Sequence, residues 1–255
     1  MIFLTGDVHN KIAKNWEQKN SSELESAIKY LEILKRYGVS CTFFINGISL
    51  KKEARKVREF LNYDVELGGH TYNNFGNMNV FKGFVYKKMW KCLYGHDSIQ
   101  RKDIQKTRQA FENAGLKMKS WRTHAFGSNE NTFKILRENK VRFVSDLLGN
   151  QKPFEKDEII HMPINIPVDQ NTISYGILKP ENRDCFVSCT KGRIMPDEWF
   201  EILKKRIQEN EKNNFPSILL IHPQTMFALD NFKLFEKIAS FLASYNCRRM
   251  SEFEI

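Results

Sequence analysis

Short apolar runs alternate along the chain with longer stretches whose apolar residues recur every three or four positions. The runs Ile2–Leu4, Val39–Ile45, Asp64–His70, Met118–Arg122, Val141–Ser145 and Ile218–His222 read as strands, and 159–166 as an extended segment. Between the first two strands, Ser21 and Ser22 offer a helix cap, with Glu25 three residues beyond Ser22. Ala27, Ile28, Leu31 and Leu34 then share a face, and Gly38 ends the helix. Further helices are predicted over 50–61, 100–114 (stopped by Gly115), 131–138, 197–210 and 232–245. Repeated β-α units predict an α/β fold around a parallel sheet, open or closed into a barrel. The chain holds no internal repeat and no Pro/Gly-rich linker, so residues 1–255 are expected to form one domain.

The stretch 71–99 is too long for an ordinary connection and reads as an inserted loop with structure of its own. Within it, Phe81, Phe84, Val85, Met89 and Cys92 fall loosely on one helical face, with Lys82, Lys87 and Lys91 mostly elsewhere. The expected arrangement packs that face over the barrel with the lysines in water; weak association with an anionic membrane surface is the other reading. The Asn- and Gly-rich start, Asn73–Asn79, would permit a hinge.

The strand ends carry the chemistry. Ile2–Leu4 leads to Asp7 and His9, Val65–Leu67 to Gly68-Gly69-His70, and Ile218–Ile221 to His222. Ligands of α/β proteins gather at the carboxyl ends of strands, so these groups are expected to meet in one site.

Composition adds bounds. At 41% hydrophobic residues the chain can bury a sizeable core, and 40 basic against 30 acidic residues leave a net charge of +10, which favours an acidic or phosphate-bearing partner. No nucleic-acid-binding motif accompanies that charge, so no nucleic acid is expected as a partner. Five cysteines (Cys41, Cys92, Cys185, Cys189, Cys247) lack zinc-site spacing and read as reduced, mostly buried thiols. The sequence opens on a strand pattern without a leader-like segment, and no apolar stretch approaches the ~20 residues of a membrane span, so a cytoplasmic location is expected.

In order, Thr5-Gly6-Asp7-Val8-His9, Gly69-His70-Thr71, Trp121-Arg122-Thr123-His124 and Leu220-Ile221-His222 resemble the motifs of the polysaccharide deacetylases, the NodB-type family 4 carbohydrate esterases. The resemblance runs from residue 2 to about 223 and implies that family's distorted (β/α) barrel. It implies Asp7 as general base, Arg122 as the cation orienting it, and His222 as general acid toward the leaving amine. His9 stands where the family has a metal-binding Asp, and His70 matches the first metal histidine. The implied metal set is His9, His70 and Asp7, holding zinc or else cobalt, nickel or iron.

The chain departs from the family at two positions. Asn74 stands where the second metal histidine is usual, a weak neutral ligand, and His124 replaces a proline and offers a third nitrogen. Asp146 resembles the acidic position that tunes the Arg or His. Trp121, Tyr72, Phe75 and Phe126 are candidate substrate contacts, and a backbone N–H near Ala125 or Phe126 a candidate oxyanion donor.

Amide hydrolysis needs a base, an acid, and stabilisation of the oxyanion, and these residue types supply them. The resemblance implies a metal-dependent hydrolase removing an acetyl or formyl group from an amino sugar, nucleotide-linked or lipid-linked glycan precursor. Two alternatives stay open: a metal-independent amide or cyclic-imide hydrolase of the same superfamily, and a non-catalytic glycan- or lipid-binding barrel.

Overall fold

The computed structural model describes residues 1–9, 23–74, 80–174 and 194–254. Eight strands make one curled sheet: β1 (Ile2–Val8), β2 (Cys41–Ile45), β3 (Val65–Gly69), β4 (Ser120–Trp121), β5 (Phe143–Val144), β6 (Phe154–Lys156), β7 (Ile159–His161) and β8 (Ser217–Leu220). Their spatial order is β6-β7-β5-β4-β3-β2-β1-β8. Every neighbouring pair is parallel except the β6–β7 hairpin. The α-helices among the described residues are α1 (Glu23–Tyr37), α2 (Gly47–Lys52), α3 (Ala54–Glu59), α4 (Val80–Trp90), α5 (Asp97–Asn113), α6 (Glu130–Glu138), α7 (Pro196–Lys212), α8 (Pro223–Asp230) and α9 (Lys233–Leu242). This is the distorted (β/α) barrel that the motif order implied.

The pleat sorts the strand residues into two cores. Ile2, Leu4 and Val8 of β1, Phe43 and Ile45 of β2, Leu67 of β3, Trp121 of β4 and Leu219 of β8 pack outward on the helices. Phe3, Phe44, Phe143, Ile160, Ile218 and Leu220 form the inner cluster. Successive side chains in a strand point to opposite faces. Thr5 and Asp7 therefore share the inner face with Phe3, as Arg122 does with Ser120 and His222 with Leu220.

After β7 the chain runs along the outer edge of β8, where Asn165 stands in for a strand partner. Its amide nitrogen donates to the carbonyl of Pro216 (2.7 Å), its amide oxygen accepts from Ile218 N (2.8 Å), and its own backbone N–H donates to Ile218 O (3.1 Å). That pairing carries the following residues, including Asp169, to the end of β8.

Four features differ from the sequence reading. The stretch 50–61 splits into α2 and α3 around Glu53, whose backbone is non-helical. Strand β6 arises because Asp157 and Glu158, both at positive φ (50° and 64°), make a tight hairpin turn that twists with the sheet. Helix α8 follows His222 directly, since Pro223 at its first turn suits a helix start. Helix α4 packs otherwise than expected: Gly83 and Cys92 are buried, whereas Phe81, Phe84 and Met89 stand in solvent. Glycine lets that side approach the body, and Tyr86 covers Gly95 and meets Trp90 edge to face at 5.3 Å. The Ser21–Ser22 cap, residues 75–79 of the hinge, and Cys185 and Cys189 lie outside the described residues; Cys41, Cys92 and Cys247 are free thiols.

The end of β3 shows why two glycines precede His70. A Cβ on Gly69 would sit 2.4 Å from Trp121 Cε3 and 2.6 Å from Met118 Sδ, and one on Gly68 would sit 2.4 Å from Ser120 Oγ. Gly69→Ala is expected to lower the unfolding free energy by about 1–3 kcal/mol, the usual cost of overpacking a core. Urea unfolding checks this, and an unchanged midpoint would contradict it.

Candidate active site

Asp7 lies on the inner face of β1 and is nearly buried. Its Oδ1 accepts from Arg122 Nη1 at 2.9 Å, and its Oδ2 faces His70 Nε2 at 3.7 Å and His222 Nε2 at 3.9 Å. Arg122 is fully buried and makes three further hydrogen bonds. Nε donates to Ser145 O (3.0 Å), and Nη2 to Thr5 Oγ1 (2.9 Å) and Ser145 Oγ (2.7 Å), while the guanidinium sits 4.3 Å over the Phe44 ring. Burial alone would raise the Asp7 pKa. His70, Arg122 and His222 outweigh it and hold the carboxyl well below the usual carboxylate range.

His70 immediately follows β3. Its Nδ1–H donates to Arg122 O at 2.8 Å, because a carbonyl can only accept, so the lone pair is on Nε2. Burial drives its pKa down to about 3, leaving the ring neutral. His9 is arranged the same way: its Nδ1 meets Glu23 Oε2 at 2.8 Å, and its backbone N–H donates to that same oxygen at 2.8 Å. Nε2 of His9 and Nε2 of His70 are both buried without a hydrogen-bond partner among the described residues.

His124 completes the group. Ligand atoms of His9, His70 and His124 all lie within 4.8 Å of one another, and their ring centroids are 5.0–5.3 Å apart. Burial and the two neighbouring imidazoles push His124 well below its ordinary pKa. Against burial, Glu23 raises the His9 pKa, so His9 gives up a proton on binding a metal. Three imidazoles with converging nitrogens, two of them otherwise orphaned, fit a divalent transition metal with open coordination positions.

His222 is held by an acid that the sequence reading did not single out. Its Nδ1–H donates to Asp169 Oδ1 at 2.7 Å and its backbone N–H to Asp169 Oδ2 at 2.8 Å, with Asp169 fully buried. Burial opposes the charge on His222, but Asp169 and then Asp7 raise its pKa above the ordinary value. A signal existed: Asp169 follows Ile166-Pro167-Val168 much as Asp7 follows the apolar opening of β1.

Several expected residues fall elsewhere. Asn74 sits outside the histidine group, its side-chain oxygen accepting from Asn46 Nδ2 at 3.1 Å. Asp146 touches neither Arg122 nor His222 by hydrogen bond; it accepts from Thr123 N and Thr123 Oγ1, each at 2.6 Å, and so braces the turn that presents His124. Trp121 is no sugar platform: it is buried, its Nε1–H donates to Thr123 Oγ1 (2.9 Å), and the pleat that turns Arg122 inward turns Trp121 outward. The Tyr72 ring covers Gly47, with Lys106 Nζ 5.5 Å from its centre. Phe126 is half-buried against the inner core, and its N–H is spent on Thr123 O (2.9 Å), which leaves Ala125 as the backbone candidate. Asp7 pairs with Arg122 and stands beside the three-histidine group instead of within it. Phe75 lies outside the described residues.

Comparison with known proteins accords with this geometry. Residues 21–144 match the family model of the polysaccharide deacetylases. A protein from Mycobacterium smegmatis assigned to the polysaccharide deacetylases shares the fold at a TM-score of 0.69 and 14% identity, over 98% of this chain and 86% of that one. An allantoinase does so at 0.63 and 13% identity, over 98% and 86%. A carbohydrate esterase family 4 pseudoenzyme from Bacillus anthracis does so at 0.54 and 18% identity, over 99% and 64%. At these identities the likeness is one of fold. No curated protein matches the sequence.

The class so defined is a barrel hydrolase of carbon–nitrogen bonds. The likeness to the NodB-like polysaccharide deacetylases is carried by residues 21–144, and within them Asn74 stands where the second metal histidine is usual.

Proposed function

We propose that the protein is a metal-dependent deacylase that removes an acetyl or formyl group from an amino sugar of a glycan precursor. The observation that carries this is the convergence of His9, His70 and His124 beside the Asp7–Arg122 and His222–Asp169 pairs. The three histidines would hold the metal, which when bound lowers the pKa of water to about 7 and polarises a carbonyl.

Asp7 supplies the base. Arg122 engages Oδ1 and keeps the carboxylate ionised, so Oδ2 is the oxygen that takes the proton from the attacking water. His222 supplies the acid. Asp169 holds its Nδ1–H and stabilises the imidazolium, so Nε2 protonates the amine nitrogen as the C–N bond breaks. The Ala125 N–H is the backbone donor for the oxyanion, and the left-handed backbone at Ala125 and Phe126 (φ 55° and 52°) turns the loop after Arg122 sharply.

The test is release of acetate or formate from nucleotide- and lipid-linked amino sugars by zinc-loaded protein, with His70→Ala as control. Turnover that disappears in the variant supports the proposal. Hydrolysis that survives chelation and His70→Ala would favour the metal-independent alternative, and metal binding without hydrolysis of any amide would favour a binding module.

Asp169→Asn keeps the shape of the His222 contact but removes its charge. Because Asp169 raises the His222 pKa, the variant should move the alkaline limb of the pH–rate profile to lower pH. An unmoved limb would remove His222 from the acid role.

The surface supports a phosphate-bearing or lipid-linked substrate. Helix α4 holds Phe81, Phe84 and Met89 in solvent, 64–74% exposed, close to exposed Lys87, Lys88 and Lys91, and the chain carries a net charge of +10. Aromatic and basic side chains together suit an anionic bilayer surface. Co-sedimentation with phosphatidylglycerol vesicles should exceed that with phosphatidylcholine vesicles and fall several-fold in Phe81→Ser/Phe84→Ser. Equal sedimentation of the two proteins would count against it.

A further inference from the structure

Glu23 is buried at the first position of α1, 8% exposed, and reaches across to His9. One carboxylate oxygen accepts both the ring Nδ1–H and the backbone N–H of His9. Among the described residues its ion-pair partner is His9, and no Lys or Arg pairs with it. Glu23 thus stands directly behind the His9 ring, whose Nε2 is buried without a hydrogen-bond partner among the described residues and faces His70 and His124. A carboxylate held on Nδ1–H in this way fixes which ring nitrogen is left to bind a metal.

We propose that Glu23 is a positioning residue for the metal site and works through His9. It fixes the His9 tautomer with the lone pair on Nε2, raises the basicity of that nitrogen, and returns to the site the negative charge that a histidine ligand lacks where the resembled family has an aspartate. The carboxylate–histidine pair replaces a carboxylate ligand by one placed a ring farther out. This rests on the metal-binding reading given under the proposed function. Outer partners of this kind typically change metal affinity by 10–100-fold.

The experiment titrates zinc and cobalt into metal-free wild type, Glu23→Gln, His9→Asp and the double variant, using competition with a chromophoric chelator. Gln keeps an oxygen that can accept both N–H groups, so the metal-free Glu23→Gln protein should melt close to wild type while binding zinc 10–100-fold more weakly. In His9→Asp the ligand itself carries the charge, and adding Glu23→Gln should then cost no affinity. Equal affinities of wild type and Glu23→Gln would overturn the proposal, as would the same loss in both backgrounds, since Glu23 would then not act through His9. Wild type that binds neither metal would overturn the metal reading itself, a result distinct from either. If Glu23→Gln does not fold, the comparison of the double variant with His9→Asp still decides: a loss of affinity there overturns the proposal.

Discussion

Asp7→Asn will reduce kcat/KM by at least about 10²–10⁴-fold, the range expected when a positioned general base is lost. The same substitution should destabilise the fold. Arg122 is fully buried, and Asp7 is the only carboxylate bonded to it among the described residues, so removing that charge leaves a buried guanidinium without a counter-ion. Breaking a buried pair in this way costs about 3–5 kcal/mol. Asparagine can still accept from Nη1, so the loss should fall toward the low end of that range. Glutamate is a poor remedy, because an extra methylene would push the carboxylate into His70 and His222, which stand 3.7 and 3.9 Å away.

The pH dependence follows from the direction of the shift. The folded Asp7 pKa lies below its unfolded value, so the pair's contribution is full above about pH 4 and disappears as pH falls through the folded pKa. Wild type should therefore lose stability on acidification more steeply than Asp7→Asn. Activity assays and urea unfolding at pH 7 and pH 3 measure both effects. A variant within tenfold of wild-type activity would remove Asp7 from the role of base.

Metal addition gives the second large effect. A ligand that binds only the folded state at 100 times its Kd stabilises by about 2.7 kcal/mol. At roughly 2–4 °C per kcal/mol for a chain of this size, zinc should raise the melting temperature of metal-free protein by about 5–10 °C. His70→Ala, which removes a nitrogen from the centre of the group, should abolish the rise. Asn74→Ala should leave it intact, since the Asn74 side chain is tied to Asn46 and takes no part in the histidine group. The contrast matters because Asn74 holds the position where a metal histidine is usual in the resembled motif. No rise with zinc, cobalt, nickel or iron would sink the three-histidine site, and a rise lost in Asn74→Ala would mean the site is built on other residues.

The pleat of the strands was legible in the sequence, and with it much of the site. Strict alternation places Thr5 and Asp7 on one face of β1, Ser120 and Arg122 on one face of β4, and Leu220 and His222 on one face of β8. That same rule excludes Trp121 from the site once Arg122 is placed in it. Reading Trp121 as a sugar wall set residue type above position, and the structure resolves it in favour of position. Helix ends were legible for a similar local reason: Gly38 and Gly115 take the left-handed conformation (φ 66° and 74°) that ends α1 and α5.

Periodicity stops where the strands stop, and what lies beyond was decided by the tertiary structure. Asn74 and His124 were both available from sequence as a further ligand. The choice falls to His124 because Thr123 is clamped by Asp146, whereas Asn74 is drawn to Asn46. Asp169 reaches His222 across 53 positions of sequence because Asn165 lays the intervening chain along β8. Glu23 reaches His9 only because α1 returns over the end of β1. By itself the sequence determined the parallel sheet, the inward-facing Asp7, Arg122 and His222, and the motif order. The third histidine and the carboxylates behind His9 and His222 depend on loop paths, which are fixed by burial and hydrogen bonding between segments far apart in the chain and leave no period in it.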